Sequence, residues 1–270
     1  MPAIQPARLK REVARLVGSL PDSRAFVRAL ENVLERYADR TYRPGQSGDP
    51  APLLPAYNVP KPVLRQIRHT LTAHLQQDPQ LALQLADRLW EKPILETRRL
   101  AIHLLGMIPA SDPAPILHRL QSWANPKEDA QLMDELFHTG LARLRQENRD
   151  TLLEQIEDWM DTPEPATQIQ AIRALLPFVQ NPNTDDLPGV FGLLSSRLAH
   201  FPAEALPYLL ELIHALAKHS PHETAHFIRQ ALVVSEKPEI SWLARNTLRL
   251  LPETSRERLR AALRSSTRSE

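Results

Sequence analysis

Three short stretches decide the fold: RRLAIHLL at 98–105, IQAIRALL at 169–176 and WLARNTLRLL at 242–251. Each sets a small residue, Ala101, Ala171 or Ala244, at the same place among branched apolar neighbours, and the separations are 70 and 73 residues. Phe137 and Leu209 fall near the midpoints, and Ile67 stands 34 residues before Ala101. The implied unit is about 35 residues, the length of a helix pair. A small residue where helices meet lets them approach closely. Pairs of this size stack, each burying its apolar stripe against the next. The expected fold is all-α, an α-solenoid (alpha-alpha superhelix) of helix pairs.

The rest of the chain agrees. Phe26, Val27, Leu30, Val33, Leu34 and Tyr37 recur at helical spacing, as do Val63, Leu64, Ile67, Leu71 and Leu75. Leu81, Leu85, Leu89 and Trp90 continue the pattern, and no stretch alternates with period two. Ser111-Asp112-Pro113, Thr162-Pro163-Glu164-Pro165 and Ser220-Pro221 each place a cap-type residue before proline, a signal for a first helical turn. One segment breaks the rhythm: 41–59, TYRPGQSGDPAPLLPAYNV, reads as a Pro/Gly-rich loop. The expected organisation is an N-terminal helical cap at 1–40, the loop at 41–59, repeats over 60–252, and a basic C-terminal helix with a frayed tail at 253–270.

Composition narrows the chemistry. The chain has 270 residues, 25 Pro, 7 Gly and no Cys, so thiolate zinc sites, disulfides and a Cys nucleophile are excluded. Neither GxGxxG, GxxxxGK[ST] nor GxSxG occurs, so the common phosphate loops and the nucleophile elbow are missing. Lys plus Arg number 33 against 32 acidic residues, so a nucleic acid can be gripped only where the Arg gather on one face. No apolar run approaches a membrane span, and the first residues lack a signal-peptide pattern. The expectation is a cytoplasmic protein with no membrane association.

Two stretches then resemble a family. YNVPKPVLRQI (57–67) and LADRLWEKPILETRRLAIHLL (85–105) are similar to the DNA alkylation repair family, HEAT-repeat glycosylases that remove cationic N-alkylated purines. The family shows Tyr-Gly-Val-x-x-Pro-x-Leu-Arg, then Leu-Trp and a Glu-x-Arg helix. Tyr57, Val59, Pro62, Leu64 and Arg65 match the first part, with Asn58 in place of Gly. Leu89, Trp90, Glu96, Arg98 and Ala101 match the second. A fainter echo lies in IEDWMDTPEPATQIQAIRALL (156–176). The resemblance implies HEAT-like helix pairs, a concave Arg-lined groove for duplex DNA, and no cofactor. It also implies an Asp flanked by two Trp, the carboxylate favouring the cationic sugar that develops as the glycosidic bond breaks.

Carried over residue by residue, the Asp matches Asp134 in EDAQLMDELFHTGL (128–141). The family's Trp positions are not retained: they are Ala130 and Ala166 here. This departure predicts excision that is weakened or lost. On a regular helix Asp134 would share a flank with His138 and Arg145. Arg65, Arg98, Arg99, Arg143, Arg145, Arg173 and Arg245 lie in or near the repeats' second helices and are the candidate phosphate contacts. HETAH, with His222, Glu223 and His226, spells the H-E-x-x-H zinc motif, but Pro221 sets it at a helix start and no third ligand stands in a recognisable motif. The alternative function is a non-enzymatic HEAT-repeat scaffold that binds a protein partner.

Overall fold

The computed structural model describes residues 5–42, 51–125, 127–180, 187–235 and 237–266, with side chains to 264. Of the expected loop, 43–50 lie outside the described residues, as do 267–270 of the expected tail. All regular structure among the described residues is helical. The chain forms two compact units, 1–149 and 150–270.

The first unit has two rows of helices. One row holds α1 (Pro6–Val17), α3 (Lys61–Leu75), α5 (Leu95–Leu105) and α7 (Ala130–Glu135). The other holds α2 (Ser23–Arg36), α4 (Pro79–Trp90) and α6 (Ala114–Trp123), with α4 packed on α5 across the layers. The stripes read from the sequence are the core: Phe26, Leu30, Leu34, Val63, Ile67, Leu85, Leu89 and Leu100 are fully buried. Burying side chains of this size removes about 1.5–3 kcal/mol each of exposed apolar surface. Leu64 and Trp90 stay half-buried at the stripe edges.

Capping follows the sequence signals in part; Thr162 Oγ1, for one, donates back to the Trp159 carbonyl at 2.9 Å. Asp22, Asp78 and Asp129 accept backbone N–H groups at the starts of α2, α4 and α7, and Asp112 accepts the N–H of Ala114. Ser220 stands at an N-cap position, yet its side chain makes no capping bond there. Instead Thr224 Oγ1 donates to the Ser220 carbonyl at 2.8 Å.

Two acidic side chains, Asp129 and Glu96, together with backbone bonds fasten the segment that precedes α3. Leu53 N–H donates to Asp129 at 2.9 Å, and Leu95 N–H donates to the Pro55 carbonyl at 3.0 Å. Tyr57 and Val59 N–H groups donate to Glu96 at 3.1 and 3.3 Å. Asn58 between them has φ 54°, the left-handed region. That explains why Asn replaces the family's Gly, since Asn is among the few residues that enter this region readily.

The helix expected around Asp134 is not continuous. After α7 the backbone makes a π turn at Leu136–Gly140, then resumes as α8 (Ala142–Glu147). A π turn inserts one residue, so later side chains rotate out of the α-helical register. Gly106 lies beneath it, where an added Cβ would collide with the Thr139 carbonyl.

The second unit is entered on α9 (Arg149–Met160). One row contains α10 (Pro165–Gln180), α12 (Leu206–His219) and α14 (Pro238–Thr247). The other contains α11 (Leu187–Ser195), α13 (Pro221–Val234) and α15 (Glu253–Ser266). The three alanines of the repeat, Ala101, Ala171 and Ala244, are all fully buried, as close helix approach requires.

Candidate nucleic-acid interface

Helices α3, α5 and α7 put a mixed polar stripe along one row of the first unit. Its centre is Glu135. One oxygen receives Arg68 Nη2 at 2.9 Å, and the other lies 3.0 Å from Arg99 Nε. The carboxylate thus spans three successive helices of the row. Arg65 is exposed one turn before Arg68 on the same flank of α3, with His69 exposed beside it. Asp134 is exposed next to Glu135.

His103 of α5 lies behind the stripe. Thr72 Oγ1 donates to the Arg68 carbonyl at 3.0 Å and lies within hydrogen-bond distance, 3.0 Å, of His103 Nε2. Burial, followed by the charge of Arg68, depresses the imidazole pKa to about 4, so the ring is neutral near pH 7.

The other sequence candidates have varied placements. His138 Nδ1–H donates to the Asp134 carbonyl at 3.0 Å. Arg145 reaches back to the carbonyls of Phe137 and His138 at 3.0 and 3.2 Å. These are carbonyls of the π turn, where the helical ladder is interrupted. Arg143 pairs with Glu147 and also donates to the Met107 carbonyl at 2.7 Å. Glu147 titrates below the ordinary carboxylate range, chiefly through Arg143 and then through the Ala110 N–H.

Arg98 is turned inward. Its guanidinium lies 4.8 Å from the Trp90 ring centroid, donates to the carbonyls of Trp90 and Lys92, and pairs with Glu128. Trp90 in turn stacks on Trp123, with centroids 4.4 Å apart and planes 8° from parallel. A cation on the outer face of a face-to-face Trp pair offsets its quadrupole repulsion.

In the second unit Arg173 is buried, with its guanidinium 5.5 Å from the Tyr208 ring, and Arg245 is exposed on α14. Trp159 is buried. The HETAH histidines have separate partners: His222 Nδ1 meets Ser255 Oγ at 2.9 Å, and His226 Nδ1 accepts from Arg229 at 3.0 Å. Among the described residues, no three His, Asp or Glu side chains group as metal ligands do.

Sequence reasoning missed Arg68, Glu135 and His103. The signal was available in the repeat spacing: Arg68, Arg99 and Glu135 stand 31 and 36 residues apart, near one repeat each. Equivalent positions on stacked helices must meet.

The family model described as DNA alkylation repair enzyme matches residues 31–249. The chain belongs to this family. No curated protein and no solved structure matches it. No helix among the described residues is long and apolar enough to cross a membrane.

Proposed function

We propose that the protein binds duplex DNA as an α-solenoid of HEAT-like pairs, with the row of α3, α5 and α7 facing the phosphates. The observation that carries this reading is the Arg65, Arg68, His69 and Arg99 stripe, with Glu135 joining the three helices. Phosphates reward such an array because guanidinium groups donate to them bidentately and release counterions. Arg65 is the most available contact of the first unit and Arg245 of the second; both are exposed. Arg99 contributes from the same row, and Arg143 and Arg145 from α8 beyond the π turn. Arg98 and Arg173, packed against Trp90 and Tyr208, act by holding the scaffold.

Excision is weakened or lost on this reading. Asp134 keeps the place of the family's carboxylate, but alanines at 130 and 166 supply no ring to pack on deoxyribose or on a cationic base. Any residual reaction needs water and the Asp134 charge near the sugar, and no cofactor. The deciding measurement is release of 7-methylguanine from methylated duplex, wild type beside Asp134→Asn. Release above background that disappears in the variant assigns the reaction to Asp134. Absence of release together with salt-dependent duplex binding leaves a binder without excision. Absence of both favours the protein-partner scaffold.

A further inference from the structure

Most half-buried arginines in this protein lie against a carboxylate: Arg68 and Arg99 on Glu135, Arg119 on Asp87, Arg197 on Glu157 and Asp161. Arg229 of α13 differs. It is half-buried, and its side-chain partner is the neutral acceptor Nδ1 of His226, 3.0 Å away. Among the described residues, neither Arg229 nor the neighbouring Arg258 of α15 has a carboxylate within ion-pair distance. Arg258 is exposed, but Arg229 is partly held out of bulk water; a cation so placed without a counter-ion is costly, and an anion from outside removes that cost.

Two concavities meet at Arg229. A small cleft of about 80 Å³ is lined by His222, His226, Arg229, Ser255 and Arg258. A larger cavity of about 640 Å³ opens beside it, between the 195–200 turn, α13 and α15. Its walls include Leu198, Phe227, Ala231, Val234 and Ala262. Phe227 is buried beneath it with Phe191 of α11 tilted against the ring, while Val233 and Val234 at its mouth are 82 and 83% exposed. His226 and Arg229 border both concavities, and among the described residues no Asp or Glu lines either. Glu223 and Glu257 are exposed on the same helices, outside both linings.

We propose that this is a binding site for a small organic anion with an apolar body, its head on Arg229, Arg258 and Ser255 and its body along Phe227 and Val234. The size is that of an ordinary small-molecule pocket, with apolar walls and a few convergent polar groups at one end. His226 helps by fixing the guanidinium in place, and a fixed fork loses less freedom on pairing than a mobile one. The site is independent of the DNA stripe, which belongs to the other unit.

The test is calorimetric titration of the full chain with decanoate, decyl phosphate and decanol, using wild type and Arg229→Gln. The expected result is that at least one anion binds about tenfold or more tighter than decanol, and that Arg229→Gln removes this difference. The two anions distinguish a carboxylate head from a phosphate head. An Arg258→Gln variant provides a second reading, with unchanged thermal unfolding showing that both variants fold. No binding at millimolar ligand overturns the proposal, as does equal binding of decanol or an anion affinity that survives both substitutions. Displacement of the bound anion by duplex DNA, with duplex affinity lost in Arg229→Gln, also overturns it, because the cleft would then be a nucleic-acid contact.

Discussion

Glu96 holds the backbone on both sides of Asn58: the N–H groups of Tyr57 and Val59 both end on its carboxylate, while Asn58 itself has φ 54°. The carboxylate is 3% exposed, so these bonds are made away from water. Charge-assisted bonds of this kind contribute about 1.5–3 kcal/mol each. Glu96→Gln keeps one acceptor and turns an amide N–H₂ toward a donor. The expected loss is about 2–3 kcal/mol of stability, measured by urea unfolding. A change below about 0.5 kcal/mol would remove Glu96 from this role.

Asn58 gives the matching prediction from the other side. Asn58→Gly should be nearly neutral, because Gly also accepts positive φ and restores the family's residue. Asn58→Val should cost about 1–2 kcal/mol or more, because a β-branched side chain is strained at φ 54°. Thermal unfolding of the two variants side by side checks this ordering.

These two residues show how far the sequence could be read. The apolar stripes and the buried alanines were legible because helical periodicity records burial directly. Glu96 and Arg98 could be matched to a motif, but their work could not: their partners at Tyr57, Val59 and Glu128 are 39, 37 and 30 residues away. The π turn at Leu136–Gly140 was not legible either. LFHTG carries no residue type that marks it, and the Gly106 it packs against is distant in sequence. The phase of Arg145 relative to Asp134 was therefore unreadable. The stripe through Glu135 was half legible, since repeat spacing gave the register but not which side chains would pair.

Gly106 tests the packing under the π turn. Any Cβ there meets the backbone carbonyl of Thr139, which cannot rotate away as a side chain could. Gly106→Ala should therefore destabilise by about 1–3 kcal/mol, the usual cost of overpacking, despite alanine's better helix propensity. Equal or higher stability of this variant in chemical denaturation would contradict the close approach.

His103 makes stability depend on pH. Its folded pKa, about 4, lies below the ordinary value of 6.5, because of burial and then Arg68. Between these values the unfolded chain binds more protons, so stability rises with pH. The contribution is fully present above about pH 6.5 and is lost as pH falls toward 4. The full span is worth at most about 3 kcal/mol, less after solvent screening. Urea midpoints at pH 5.0 and 6.5 should separate in the wild type and converge in His103→Gln. Equal separation in both proteins would assign the slope to other groups.

Glu135 supplies the last test, because it pairs with two guanidinium groups of the proposed interface. If phosphates approach the row of α3, α5 and α7, Glu135 competes with them for Arg68 and Arg99. Glu135→Gln should then raise duplex affinity and steepen its salt dependence, while Arg65→Gln weakens binding and lowers the slope by about one. The substitution also leaves two partly buried cations without their carboxylate, so stability should drop even as affinity rises. Opposite signs for stability and affinity separate this interface from a purely structural ion pair, which would lose both together. Duplex affinity that is unchanged in Glu135→Gln and in Arg65→Gln would place the DNA elsewhere on the protein.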